Sequence, residues 1–416
     1  MQLKEIYDIH KDKLLFDNSI YIKNLKKKLI NNFNLNPKIL KNNESVKHID
    51  QSIIKDLNYI FHYDDSKILF NNNQDNNFSS LHLTNGNLNT VENIDQKNIS
   101  IKVLSENPDL AENKIRKYEN AFFDDYLVNL NSVLMNSGYD IEFKEKSSNK
   151  IIISNEIDVS NTTIYAKNFF TVKENSKLVV IEKFFNNLDS NSNIINFFQV
   201  EKNAEVIHLI IQDNEIKSNL QFSGHINCLQ GSKYQQIIFN TSKGSIRNHH
   251  YVNLLGVNAK AKLEGVFFGC GNQIVDNKTV INHLKPSCTS DQKYKGVLTD
   301  HAKASYLSKT FVDQEAQKTE AYQLSKGILL SENCYFHSKP ELKIFADDVK
   351  CSHGSTIGPF NQDLLYYCRS RGIPENIATS LLISSFFSDI LSSTNESIYL
   401  SLVQKSTSNW LKKIII

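Results

Sequence analysis

The chain is expected to be mainly β, with a solenoid of stacked strands (a β-helix) in its middle and helices at both ends. Three observations predict this. From Tyr139 onward, short β-branched or aromatic runs follow one another with polar turns between them and no helices. A loose motif, an apolar residue and a few polar or small ones before a new apolar run, recurs around Asn175, Asn203, Ser232 and Asn258, at intervals of 28, 29 and 26 residues. A repeat of that length without helices suits a solenoid; a β-sandwich, the competing architecture, turns every 8–12 residues or about that. Finally, apolar residues recur at helical spacing near both ends.

Residues 1–138 are expected to form a mostly helical domain. Over Ser19–Phe33, Ile22, Leu25, Leu29 and Ile30 fall near one helical face with lysines opposite, and Lys26-Lys27-Lys28 reads as a solvated face. Asn71–Asn77 is a low-complexity polar stretch expected to be a loop. Leu110–Met135 gives another helical run, with Ala121, Phe122, Leu127, Leu130 and Leu134 on one side and Gly138 as its stop signal.

Residues 139–355 are the expected β-helix core, with strands at Ile151–Ile153, Phe169–Val172, Leu178–Ile181, Phe197–Val200 and Val206–Ile211. The last rung of a solenoid exposes unpaired backbone and needs a cap. Residues 356–416, a C-terminal helical domain, can serve. Asn361 caps a helix through Leu364, Leu365 and Cys368, and Gly372 ends it. Pro374 opens a second helix where its missing N–H costs nothing. That helix carries Ala378, Leu382, Phe386 and Ile390 at four-residue steps, with Leu381 alongside.

The 416 residues hold 47 basic and 45 acidic side chains, a net charge of +2. So balanced a chain gives no electrostatic reason to expect nucleic acid or a membrane surface as partner. No stretch approaches the roughly 20 apolar residues of a membrane span, and Met1–Glu5 lacks the shape of a signal peptide; a cytoplasmic location is expected. Six cysteines (228, 270, 288, 334, 351, 368) are scattered without a CxxC pair. They are expected to be free thiols, in neither a zinc ribbon nor a ferredoxin-type site. Phosphate-loop, Gly-x-Ser-x-Gly and His-Glu-x-x-His signatures are absent, so ATP hydrolysis is not expected of this chain.

The chemistry concentrates in Ala346-Asp347-Asp348-Val349-Lys350-Cys351-Ser352-His353-Gly354-Ser355-Thr356. In extended backbone Cys351 and His353 point to the same side. A thiolate and an imidazole together can hold iron, zinc or copper, but one pair completes no site. The structural alternative is a small buried cysteine and a hydrogen-bonded histidine at a strand-to-helix turn. Asp347 and Asp348 can orient the turn or cap loop amides. Cys334 lies one expected rung away and is a candidate neighbour. The adjacent His249 and His250 should face opposite ways. His283 and His301 read as isolated polar residues, and Arg369 and Arg371 suit either a helix end or a partner carboxylate.

Taken in order, Ala316–Gln323, Leu329-Leu330-Ser331, Lys339–Ile344, the Cys351/His353 stretch and Tyr366–Ile373 closely resemble the SufB/SufD family of iron–sulfur cluster assembly proteins. The match is dense from about Asp291 to Ile390 and thin before it. The Lys-Cys-Ser-His-Gly-Ser-Thr form is similar to the SufD branch; SufB chains usually carry a His-Glu-Ala-Thr version there. The resemblance implies a right-handed parallel β-helix and a non-catalytic scaffold. It implies a SufB partner bound through the β-helix, and the SufC ATPase docked on the C-terminal helices. It further implies a nascent iron–sulfur cluster or iron at the SufB junction, with Cys351 and His353 as this chain's ligands. No cofactor would then be tightly bound to the isolated chain, and a homodimer in isolation stays open. The alternatives are a SufB-like primary cluster scaffold and a polysaccharide-active β-helix enzyme, for which the strands offer few acidic residues.

Overall fold

The computed structural model describes residues 3–11, 14, 19–32, 69–71, 78–118, 125–186, 188–214 and 218–415. Its first strands are β1 (Leu69–Asn71), β2 (Ser79–Thr84), β3 (Asn87–Glu92), β4 (Ile99–Val103), β5 (Tyr139–Phe143), β6 (Ser148–Glu156), β7 (Thr162–Val172), β8 (Lys177–Phe184), β9 (Ser190–Val200) and β10 (Glu205–Gln212). There follow β11 (Asn219–Cys228), β12 (Lys233–Asn240), β13 (Ile246–Leu254), β14 (Lys260–Gly269), β15 (Ile274–His283), β16 (Thr289–Leu298), β17 (Lys303–Val312), β18 (Thr319–Leu329), β19 (Tyr335–Ile344) and β20 (Val349–Pro359).

From β5 on, consecutive strands alternate between two sheets: even-numbered strands β6 to β20 build one, odd-numbered strands β5 to β19 the other. Each pairs in parallel with the strand two ahead, so the chain coils as a β-solenoid with a narrow interior. The strands form because β-branched and aromatic residues recur at period two and stack on their equivalents in the next coil. Phe170 stacks on Phe198 of the next coil at 4.4 Å between ring centroids, and Tyr294 of β16 stacks on Tyr306 of β17, in the facing sheet, at 4.3 Å.

The coil turns tightly through residues in the left-handed region. Asn175, Asn203, Gly231, Asn258, Ser287 and Lys318 have φ between 54° and 65°. Asparagine and glycine tolerate that conformation best. The repeat visible in the sequence is therefore the repeat of this corner, and near Ser232 the left-handed residue is the preceding Gly231.

Helices α1 (Leu3–His10), α2 (Ile20–Asn32), α3 (Pro108–Lys117) and α4 (Tyr126–Leu134) cover one wall. Leu25, Leu29, Leu127 and Leu130 share a core there with Phe169 of β7 and Phe197 of β9. At the other end of the chain come α5 (Gln362–Ser370), α6 (Glu375–Leu391) and α7 (Ser397–Ile415). They lie on the outside of the even-numbered sheet, where Phe387 and Trp410 meet Phe268 at 5.7 and 4.7 Å between ring centroids.

Several expectations need correction. The block 1–138 is not helical throughout: β1, β3 and β2 extend one sheet beyond β6, and β4 extends the other beyond β5, so the sheets reach back to Leu69. Leu81, Leu83, Leu88 and Val91 are buried on these strands, an alternation too short to stand out among asparagines. Lys26 is buried, not solvated, because it follows Leu25 and sits four residues after Ile22 on the packed face of α2; Lys27 and Lys28 are exposed. The run 110–135 contains two helices, α3 and α4; Ala121 and Phe122, like Asn72–Asn77, lie outside the described residues. Gly138 stands beyond the end of α4, where a Cβ would come 2.1 Å from the Lys167 carbonyl oxygen; close backbone approach explains this glycine. The solenoid continues four residues past 355, to Pro359. In α6 the fully buried residues are Ala378, Ile383, Phe387 and Ile390, with Leu382 and Phe386 half-buried and Leu381 exposed. The buried stripe drifts because 3.6 residues make a turn, not four. Asn361 does cap α5, accepting from the Leu364 amide at 3.0 Å.

Candidate functional site

Strand β20 is the last of its sheet and β19 the last of the other. Two columns of side chains inside the solenoid lead to the candidate residues. One runs Leu178, Val206, Tyr234, Ala261, Ser290, Ala321 and ends on Cys351; the next runs Val180, His208, Gln236, Leu263, Gln292, Gln323 and ends on His353. Every member below the last is buried. Cys351 and His353 therefore continue interior columns into a rung that no described residue of this chain covers. They lie about 7 Å apart along the strand, at two residues of roughly 3.3 Å rise.

The backbone of this rung has an open side. Phe360 N–H donates to Leu329 O, so the alternation of a parallel ladder turns the amides of residues 350, 352, 354, 356 and 358 toward β18. Those of Cys351, His353, Ser355 and Ile357 face away from β18, where no described strand lies. Pro359 sits at the same parity, where no N–H is needed. In β19, Tyr335 N–H donates to Ala302 O and Phe345 N–H to Val312 O, which places Pro340 likewise on the open side.

Cys351 is half-buried beside Ile344 and Val349, against Val312, Ala316 and Ala346. Burial pushes its thiol up, and the Ala321 backbone amide beside the sulfur pulls the other way. His353 is exposed and has no hydrogen-bond partner among the described residues. Beneath it, Gln323 is pinned: its amide nitrogen donates to Thr310 Oγ1 at 2.7 Å and to Glu341 O at 3.2 Å, and its oxygen accepts from Ser308 at 3.1 Å. The network continues inward from Thr310 to Gln292 and Thr279. Among the described residues no group of three or more His, Cys, Asp or Glu side chains gathers to hold a metal ion, so the pair is two donors of an incomplete set.

Asp347 and Asp348 are exposed, and the turn is held through the backbone of Asp348. Lys318 N–H donates to Asp348 O at 2.6 Å, and Asp348 N–H to Gln317 Oε1 at 2.9 Å. Cys334 is not beside Cys351. It precedes β19 while Cys351 opens β20, so the whole length of β19 separates them, and its thiol donates to Ser331 O at 3.1 Å. Two residues at the mouth were not singled out from sequence: Ser325, two positions after Gln323, and Ser338 on β19. Both have buried hydroxyl oxygens without a partner. Only the strand register reveals them.

His249 and His250 do face opposite ways. His250 points inward to Gln236, 3.2 Å away, and burial depresses its imidazole. His249 lies on the outer wall between Asp276, at 2.8 Å, and Asp125, at 3.4 Å. Asp125 caps α4 through the Leu127 amide and binds Arg247 at 2.6 Å. Burial alone would raise both carboxyls. Arg247 and His249 hold Asp125 well below the usual range, and His249 with Arg247 hold Asp276 at about 2. This cluster fastens α4 to the solenoid. His283 is buried against Ser290, and Arg369 pairs with Glu375 at 3.1 Å across the α5–α6 junction.

The C-terminal helices expose Leu364, Tyr366, Tyr367, Ile377 and Leu381. A groove of about 640 Å³, largely apolar, runs between α6 and α7 past Ile377, Leu381, Val403 and Leu411. Among the described residues no helix is long and apolar enough to cross a membrane.

A family model described as SUF system FeS cluster assembly, SufBD core domain, matches residues 152–386, more than half of the chain. The chain is similar to an iron–sulfur cluster assembly SufBD family protein of Synechocystis, 30% identical over 234 residues, which are 53% of this chain and 51% of that protein. It is similar to the iron–sulfur cluster assembly protein SufD of Escherichia coli, 31% identical over 145 residues, 35% of this chain and 34% of that one. It is also similar to the chloroplastic protein ABCI7 of Arabidopsis thaliana, 29% identical over 244 residues, 57% and 50% of the two chains. The matches span about half or less of the length of these relatives.

Proposed function

The chain belongs to the SufBD family of iron–sulfur cluster assembly proteins, and on that premise we propose that it is a non-catalytic, cytoplasmic scaffold subunit of SufD type. A SufB-type partner docks on the open end of the solenoid, and a nascent cluster or iron is held between the two chains as cargo. The observation that carries this reading is the placement of Cys351 and His353 on the terminal rung, whose interior side chains and backbone edge are both uncovered by the described residues. An unpaired strand edge is a template for another strand. Two donors, one soft sulfur and one imidazole, are half of a usual cluster ligand set, so the partner supplies the rest and the cargo stays releasable.

An ATPase of SufC type docks on residues 356–416, where Tyr366, Tyr367, Ile377 and Leu381 are exposed; ATP hydrolysis belongs to that partner. The test is co-purification with both partners, followed by iron and sulfide analysis. His353→Ala and Cys351→Ala should each leave the complex intact and lower its iron and sulfide content severalfold. Wild-type iron and sulfide in both variants would remove the site assignment.

A further inference from the structure

Among the described residues the buried hydroxyl of Ser325 has no hydrogen-bond partner, although the residue is only 2% exposed. Buried polar groups are nearly always satisfied, and an exception calls for an explanation. Ser325 pairs with Ser355 in the ladder, and Gln323 pairs with His353, so Ser325 is the diagonal neighbour of His353 on the interior face. Gln323 lies closer, but Thr310, Ser308 and Glu341 already engage its carboxamide. One strand below, Ser325 rests on Tyr294, whose ring stacks on Tyr306. Among the described residues the mouth therefore has a firm floor, a free hydroxyl just above it, and an exposed imidazole without a partner.

We propose that Ser325 is a positioning residue for His353: when a partner covers the mouth, the Ser325 hydroxyl accepts a hydrogen bond from one ring N–H of His353. That contact would fix the tautomer and turn the other nitrogen toward the shared cargo. Ligating histidines commonly have such a partner on the second nitrogen, and losing it weakens metal binding by roughly 10–100-fold. The inference rests on the reading above that His353 is a ligand at a shared site. Ser338, on β19, carries the second unpartnered hydroxyl of this end and is the natural control.

The experiment uses the complete complex, with ¹⁵N-histidine only in this chain. In the metal-free complex, ¹⁵N shifts should report a single His353 tautomer for wild type, a mixture for Ser325→Ala, and a single tautomer again for Ser325→Thr. Co²⁺ titration of the same complexes should show about tenfold weaker binding for Ser325→Ala, restored by Ser325→Thr. An unchanged tautomer in Ser325→Ala, or a mixture produced by Ser338→Ala instead, overturns the assignment. Co²⁺ binding that survives His353→Ala would instead sink the ligand reading, leaving the tautomer result to decide the role of Ser325 separately.

Discussion

The two ends of the solenoid are built differently. At the start, the winding stops in reversed strands: β2 pairs antiparallel with β3, and β4 antiparallel with β5. The outermost strands there, β1 and β4, are three and five residues long. Short, reversed edges discourage further pairing. At the finish, β19 and β20 are ten and eleven residues long and keep the parallel direction of their sheets. Among the described residues nothing terminates them. The C-terminal helices leave this rung uncovered and pack on the side of the even-numbered sheet. The finish keeps the geometry of a sheet interior without a neighbour, which is what an interface for another chain requires.

The largest effect is expected at the fastened wall. Asp125→Ala removes the cap of α4 and leaves the Arg247 charge buried, which should cost about 3–5 kcal/mol and show as a lower urea midpoint. The same cluster sets an acid limit. Asp125 and Asp276 have carboxyls depressed below their ordinary range, so their contribution is full above pH 4 or so and fades as pH falls through their folded values, toward about 2 for Asp276. Thermal melts from pH 7 to 2 should be flat at first and then fall, and less steeply in Asp276→Asn.

The open end should respond oppositely. Ser355→Pro removes an amide that faces no described strand of this chain, so stability should change by less than about 1 kcal/mol, while affinity for the proposed partner, read by sedimentation or calorimetry, falls at least about tenfold. Gln236→Pro, in the paired interior, should cost ~3 kcal/mol or more. An unfolded Ser355→Pro chain would break the contrast between edge and interior. The smallest effect belongs to the corners. Gly231→Ala forces a side chain at φ +65°, 2.4 Å from Asn203 Oδ1, and should cost about 1–2 kcal/mol in chemical unfolding.

Much of the architecture was legible in the sequence because the corner repeats. Asn175, Asn203 and Asn258 mark left-handed turns, and a spacing near 28 residues is the length of one coil. The alternation that sends Cys351 and His353 to one side was legible for the same reason, since β20 is extended. Burial of Lys26 was not, because its environment comes from another helix. Nor was the separation of Cys334 from Cys351, which depends on which corner of the coil each occupies. Ser325 and Ser338 were invisible: a serine in a strand carries no signal until the register places it beneath an exposed imidazole.

The most direct measurement is amide hydrogen exchange at Cys351, His353, Ser355 and Ile357, in the isolated chain and in the complex with the proposed SufB-type partner. These four amides should exchange quickly in the isolated chain and slow by on the order of 100-fold in the complex, while the amides of Ser352, Gly354 and Thr356 are protected in both. Fast exchange at all four positions in a fully formed complex would contradict docking on the open end of the solenoid.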